Sequence, residues 1–283
     1  MYTWVLLTCL YGFIKAVREV IKKKTLEQNS IAEVLFFYSF LGFIFTLPTC
    51  DMTVFDVTAP QLGVILIKSF AVFVAWILSF IALKNVPVSF CGVMDMSRII
   101  FSTLLALTVL GEKMTVPNII GFFVVLLGIL LLNLKKGTKG ESTNLKFAFI
   151  LLVSCFFNAC SGTIDRIIMQ DMSSSQVQFW YMLFISVLYL IFMLCAQKGK
   201  VNWQGLKTNW WIPVLSLIFI IGDKAIFIAN SYPECRVSVM TLIKQSSVFV
   251  VVLLGKLLYK DKNIWYKLFC ATVVLAGIAI SLI

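Results

Sequence analysis

The sequence predicts an all-α integral membrane protein of ten transmembrane helices, arranged as two inverted five-helix repeats. Three observations carry this expectation. Apolar runs of about 20 residues recur along the whole length, each enough to cross a hydrocarbon core of ~30 Å. Hydrophobic residues make up 60% of the 283 and charged residues only 13%. A shift of 146 residues brings Pro87 onto Pro233, Val93 onto Val239, Met94 onto Met240 and Arg98 onto Lys244, the mark of an internal repeat. Backbone groups inside a bilayer must be satisfied within helices or a closed barrel. The apolar runs lack the alternation of barrel strands, so helices are expected.

The spans fall at about 2–21, 32–48, 61–83, 87–110, 116–134, 146–169, 175–195, 211–230, 234–257 and 264–283. The first lacks the short apolar core and small-residue cleavage site of a secretory signal, so it is expected to remain as a span. Polar punctuation separates them: Lys22-Lys23-Lys24 to Ser30, Pro48 to Pro60, Lys84-Asn85, Gly111-Glu112-Lys113, Lys135 to Thr143, Ser173-Ser174-Ser175, Gln197 to Asn209, Ser231-Tyr232-Pro233 and Lys260-Asp261-Lys262. Trp4, Trp203, Trp210, Trp211 and Trp265 lie near predicted ends, as interfacial aromatics do.

Five helices per repeat is an odd number, so the second repeat must enter the membrane upside down, with a substrate site expected between the halves near the midplane. The divisions are 1–134 for the first repeat, 135–145 for a cytoplasmic linker and 146–283 for the second repeat. Lysines and arginines concentrate in alternate loops. Loops 1–2, 3–4, 5–6, 7–8 and 9–10 hold fifteen of them, against Lys113 and Arg236 in the others. The positive-inside rule then places these odd-numbered loops in the cytoplasm and both termini outside. A prokaryotic inner membrane is the expected location.

The net charge of +11 is therefore first a topology signal. It is split among short loops and forms no stripe for nucleic acid. Eight scattered cysteines show no CxxC spacing and histidine is absent, so neither a metal site nor a cofactor is expected. No nucleophile and base stand together as an enzyme would need.

Several charges lie inside spans. Arg98 and Lys244 are about 17 Å along their helices from the nearest end, by helical rise. A charge at such depth costs from ~3 kcal/mol upward and marks a candidate functional position. Asp95, three residues before Arg98, could neutralise it on the same face. Lys244 has Thr241, Gln245 and Ser247 nearby, hydroxyls and an amide suited to holding an oxyanion. Asp165-Arg166 and Asp223-Lys224 are adjacent pairs, about 100° apart on a helix, so each member should find its partner on another helix. Arg18 and Glu19 lie near a span end, and Arg18 falls on Arg166 at an offset of 148. Lys15 and Lys68 are intermediate in depth. The deep set holds seven cations against the four acids Glu19, Asp95, Asp165 and Asp223. That excess favours a multiply charged anion such as an organic phosphate.

Helix number, length, repeat and the string Leu110-Gly111-Glu112-Lys113 followed by Gly121 and Gly128 together resemble the drug/metabolite transporter superfamily, EamA-type branch. The resemblance implies alternating access around a central cavity lined by helices such as 1, 3, 4, 6, 8 and 9. Members usually keep their termini in the cytoplasm, and the loop charges here read the other way. Within the superfamily, plastid triose-phosphate translocators hold phosphate with basic residues on paired helices, and Arg98 and Lys244 look similar in position. The second-half mate of Gly111-Glu112 reads Tyr259-Lys260, a departure from that pattern.

The expected substrate-binding residues are thus Arg98, Lys244, Lys224, Arg18, Arg166, Gln245 and Thr241, with Asp95, Asp223, Asp165 and Glu19 balancing charge or carrying coupling protons. A small anion and the bilayer are the expected partners, with protons or a counter-substrate as coupling candidates. Two alternatives stand beside this reading. Span aromatics such as Tyr11, Phe36, Phe37, Trp76, Trp180 and Tyr181 could hold an organic cation or drug through their faces, and a phosphate-headed lipid would satisfy the same cations.

Overall fold

The computed structural model describes residues 3–50, 52–109, 115–134, 145–168, 171–197, 201–230 and 237–281. Among them the ordered elements are helical: α1 (Thr3–Thr25), α2 (Ile31–Thr46), α3 (Ala59–Asn85), α4 (Val88–Asp95), α5 (Arg98–Thr108), α6 (Val116–Leu134), α7 (Leu145–Ile168), α8 (Ser174–Gln197), α9 (Trp203–Thr208), α10 (Trp211–Asn230), α11 (Val237–Tyr259) and α12 (Ile264–Ser281). Five segments are long and apolar enough to cross a membrane, namely Ile31–Thr49, Ala59–Asn85, Val88–Leu105, Leu145–Asp165 and Ser174–Gln197. Val116–Leu132 and Ile264–Ile280 are shorter apolar helices. α1 has the length but carries Lys15, Arg18 and Glu19 within it.

Local chemistry sets the boundaries. Ser30 and Glu33 form a capping box at the start of α2, the Ser30 side chain accepting from the Glu33 amide and the Glu33 carboxylate from the Ser30 amide. The same carboxylate accepts from the Asn202 amide at 2.7 Å, tying α2 to the turn before α9. α3 begins at Thr58, whose amide donates to Gln61, and ends at Val86 because Pro87 cannot continue it. Two short 3₁₀ turns, Leu47–Thr49 and Met52–Phe55, and the six-residue α9 occupy stretches that read as polar breaks in the sequence.

One predicted span differs. The stretch 87–110 is not a single regular helix: α4 and α5 are joined by a tightened turn in which the amides of Met96, Ser97, Ile99 and Ile100 each reach back three residues. No glycine or proline marks it, so the sequence pattern does not announce it. In 3₁₀ geometry residues three apart eclipse, which stacks Asp95 and Arg98 on one side of the chain.

Helix pairing follows a reciprocal scheme. α3 packs on α7 as α1 does on α10; α11 packs on α1 as α5 and α4 do on α7; α2 meets α10 as α8 meets α3; and α2–α8, α6–α12 and α4–α11 pair with one another. The α6–α12 seam is close enough for glycine. A Cβ on Gly128 would lie 2.6 Å from Val274 Cγ2, and one on Gly277 would lie 2.7 Å from the Val125 amide nitrogen. At a shift of 149, Gly128 falls on Gly277 and Val125 on Val274, so each glycine meets the other's equivalent valine.

The face carrying loops 1–2, 3–4 and 9–10 is tied by polar contacts. Lys260 and Asn263 adopt positive φ and turn the α11–α12 loop back toward α4. There Asp261 accepts from the Ser89 amide at 3.0 Å and from its hydroxyl. The buried Lys267 donates to that hydroxyl at 2.8 Å. Lys23 reaches the Val86 carbonyl at 2.8 Å, and Tyr259 the Val20 carbonyl at 3.2 Å. Trp203, Trp210, Trp211 and Trp265 are exposed as expected of interfacial aromatics, whereas Trp4 is buried against Ala229 because α1 packs along α10. Cys91, Cys155 and Cys270 are buried, while Cys9 and Cys195 are exposed.

Candidate functional site: a basic cavity between the helices

A cavity of about 90 Å³ opens among α1, α3, α4, α5, α7 and α11. Each helix presents residues at helical spacing. α1 contributes Tyr11, Lys15, Arg18, Glu19 and Lys22, a single face running toward its C-terminal end. α3 contributes Trp76, Ser79 and Leu83, and α7 contributes Leu151, Ser154, Cys155 and Asn158. α4 and α5 supply Cys91, Gly92, Asp95 and Arg98, and α11 supplies Gln245, Ser247, Val248 and Val251. Gly92 lets α11 come close: a Cβ there would meet Val251 Cγ1 at 2.7 Å.

Four cations and two carboxylates face this space. Lys15 Nζ lies 3.2 Å from Asp95 Oδ2, and Lys22 Nζ 2.6 Å from Glu19 Oε1. Arg18 and Arg98 have no carboxylate within salt-bridge distance among the described residues. Arg18 Nε is buried without a hydrogen bond, and its guanidinium carbon stands 5.0 Å from the Phe219 ring centroid. Ser154 and Ser247 donate their hydroxyls to the backbone carbonyls of Ala75 and Lys244, leaving oxygen lone pairs available to accept.

The residues expected from sequence distribute unevenly. Arg98, Arg18, Gln245, Asp95 and Glu19 line the cavity together. Lys244 stands beside it, its ammonium 5.6 Å from the ring centroid of the cavity residue Tyr11. Asp165 is elsewhere, paired with Lys68 at 2.5 Å between α7 and α3. Asp223 and Lys224 are half-buried on α10 and do not line this cavity. Asp223 interacts electrostatically with Arg18, Lys68 and Lys244. The side chains of Arg166 and Thr241 lie outside the described residues. Asp95, which the sequence allowed as a local partner of Arg98, makes its salt bridge with Lys15, because α1 runs beside α4 and offers a flexible ammonium.

Lys22 was counted with the loop lysines and Lys15 held at intermediate depth, yet both line the cavity. The spacing of Tyr11, Lys15, Arg18 and Lys22 at four, three and four residues was the signal that joined them. Ser79, Ser154, Asn158 and Cys155 carried no such signal, since small polar residues are common inside apolar helices.

This geometry gathers charged groups around a cavity between helices, several of them long and apolar enough to cross a membrane. Residues 2–134 match the EamA-like transporter family, bearing out the resemblance read from the sequence. A solved structure described as "Crystal structure of protein" superposes with a TM-score of 0.63 over 96% of this chain and 95% of its own, at 14% identity, a likeness of fold. A search of the curated proteins gives no match.

Proposed function

We propose that the chain is a secondary transporter that moves a phosphate-bearing organic anion by alternating access between two inverted five-helix halves, 1–134 and 146–283, joined by the linker 135–145. The observation that carries the reading is the pair Arg18 and Arg98, two guanidiniums facing one cavity with no carboxylate within salt-bridge distance among the described residues. The planar guanidinium fork can hold two oxygens of a phosphate group at once. With Lys15 and Lys22 already answered by acids, a dianion is the ligand that neutralises the remainder.

The reciprocal helix pairing and the exchanged contacts of Gly128 and Gly277 support the inverted repeat, since a two-fold axis makes residue i meet j wherever the mate of j meets the mate of i. On this reading Gln245 and Lys244 complete the anion site, and Asp95 and Glu19 hold cations while it is empty. Asp223 and Lys224 would balance charge beside the pathway from α10, and Arg166 and Thr241 are kept as candidate ligands from the sequence alone. The lysine-rich loops face the cytoplasm of an inner membrane and the termini lie outside.

An organic-cation substrate fits less well. Two ring faces near the cavity are met by the protein's own cations, Arg18 over Phe219 and Lys244 over Tyr11.

A thermal-melting screen of purified protein tests the reading. Phosphorylated metabolites are expected to raise the melting temperature, and Arg98→Gln to abolish that response; a ligand at 100 times its Kd adds ~2.7 kcal/mol. Stabilisation by quaternary amines that survives Arg98→Gln would overturn it. A greater response to short-chain phosphatidic acid than to glycerol phosphate would transfer the site to a phosphate-headed lipid.

A further inference from the structure

Away from the cavity, Lys68 of α3 crosses toward α7 and α8. Its ammonium lies 2.5 Å from Asp165 Oδ1 and 4.2 Å from the centroid of the Tyr181 ring. The lysine side chain is 9% exposed and Tyr181 is 9% exposed, while 31% of the Asp165 side chain stays accessible. A carboxylate at hydrogen-bond distance and an aromatic face within about 6 Å are the two elements of an organic-ammonium site. Here α7 and α8 build them around a cation that α3 supplies. Arg18 and Lys244 are engaged with ring faces of their own.

We infer that Asp165 and Tyr181 form a binding site for a primary alkylammonium group, kept filled by Lys68 as a tethered cation. The protein thus supplies from its own sequence the positive charge that this position requires, and no amine or metal cation from solution enters while Lys68 is in place. The inference concerns a site separate from the basic cavity and does not depend on what the cavity carries.

Truncation of the tether tests it. Lys68→Ala removes the atoms of an n-propylammonium ion, so that ion should raise the melting temperature of Lys68→Ala in a saturable way. It should leave the wild type unchanged, and it should leave the double variant Lys68→Ala/Asp165→Asn unchanged as well. Absence of saturation in Lys68→Ala, an equal gain in the double variant, or an equal gain from sodium or tetramethylammonium would overturn the assignment. If Lys68→Ala fails to yield folded protein, the double variant decides. Removal of both charges should restore a monodisperse protein, because the single variant buries an uncompensated carboxylate. A double variant that folds no better than the single one would count against a cation-filled cage.

Discussion

Lys15 on α1 holds the carboxylate of Asp95, at the C-terminal end of α4, at 3.2 Å. The contact ties a helix of the cavity wall to the tightened turn that stacks Asp95 with Arg98. Among the described residues the Arg98 guanidinium has no carboxylate within salt-bridge distance, and it faces the cavity.

Asp95→Asn removes one of the two acids facing the cavity and frees Lys15. Phosphate compounds should then bind roughly tenfold more tightly, a gain of about 1.4 kcal/mol. A titration followed by thermal melting reads this directly. Weakened phosphate binding in Asp95→Asn would contradict an anion site and favour a cation one.

Arg18→Met should separate stability from binding. Its buried Nε has no hydrogen bond, so an apolar replacement costs the empty protein little or stabilises it. The phosphate-induced rise in melting temperature should nevertheless disappear. Loss of folded protein with no change in ligand response would mark Arg18 as a structural residue resting on Phe219.

The α6–α12 seam predicts unequal rescue. Gly128→Ala and Gly277→Ala should each destabilise by about 1–3 kcal/mol through overpacking. Val274→Ala should relieve part of the first, because the nearest obstacle to Gly128 is the Val274 side chain. Val125→Ala should give little relief to Gly277→Ala, whose nearest obstacles are the Val125 amide and the Gly121 carbonyl. Chemical denaturation or melting curves of the four single and two double variants measure the difference.

Asp261 accepts both hydrogens offered by Ser89 at the start of α4, and Cys91 lies two residues further on in the cavity wall. Asp261→Ala should loosen this face and raise the rate at which a water-soluble maleimide labels Cys91 several-fold, measured peptide by peptide in mass spectra. An unchanged rate would mean that the Lys23 and Tyr259 contacts suffice to keep that face closed.

Much of this was legible beforehand. The ten apolar runs could be read because a bilayer permits little besides long apolar helices, and the matched positions Arg98 and Lys244 because charge inside such runs is rare. Trp4 misled because position near a helix end does not reveal which neighbour covers it. The tightened turn between Asp95 and Arg98 was hidden because it contains neither glycine nor proline.

By itself the sequence determined the all-helical, apolar class, the skew of lysine to alternate loops, and which charges fall inside apolar runs. These depend on local composition and on the thickness of a bilayer. Only the tertiary structure decided which charges meet. It paired Asp95 with Lys15, carried Asp165 away to Lys68, gathered Lys22 into the cavity and gave Arg18 and Arg98 no salt bridge among the described residues. Partners on different helices are fixed by rotation and crossing of the helices, and those follow from packing contacts such as Gly128 on Val274 that no single segment encodes.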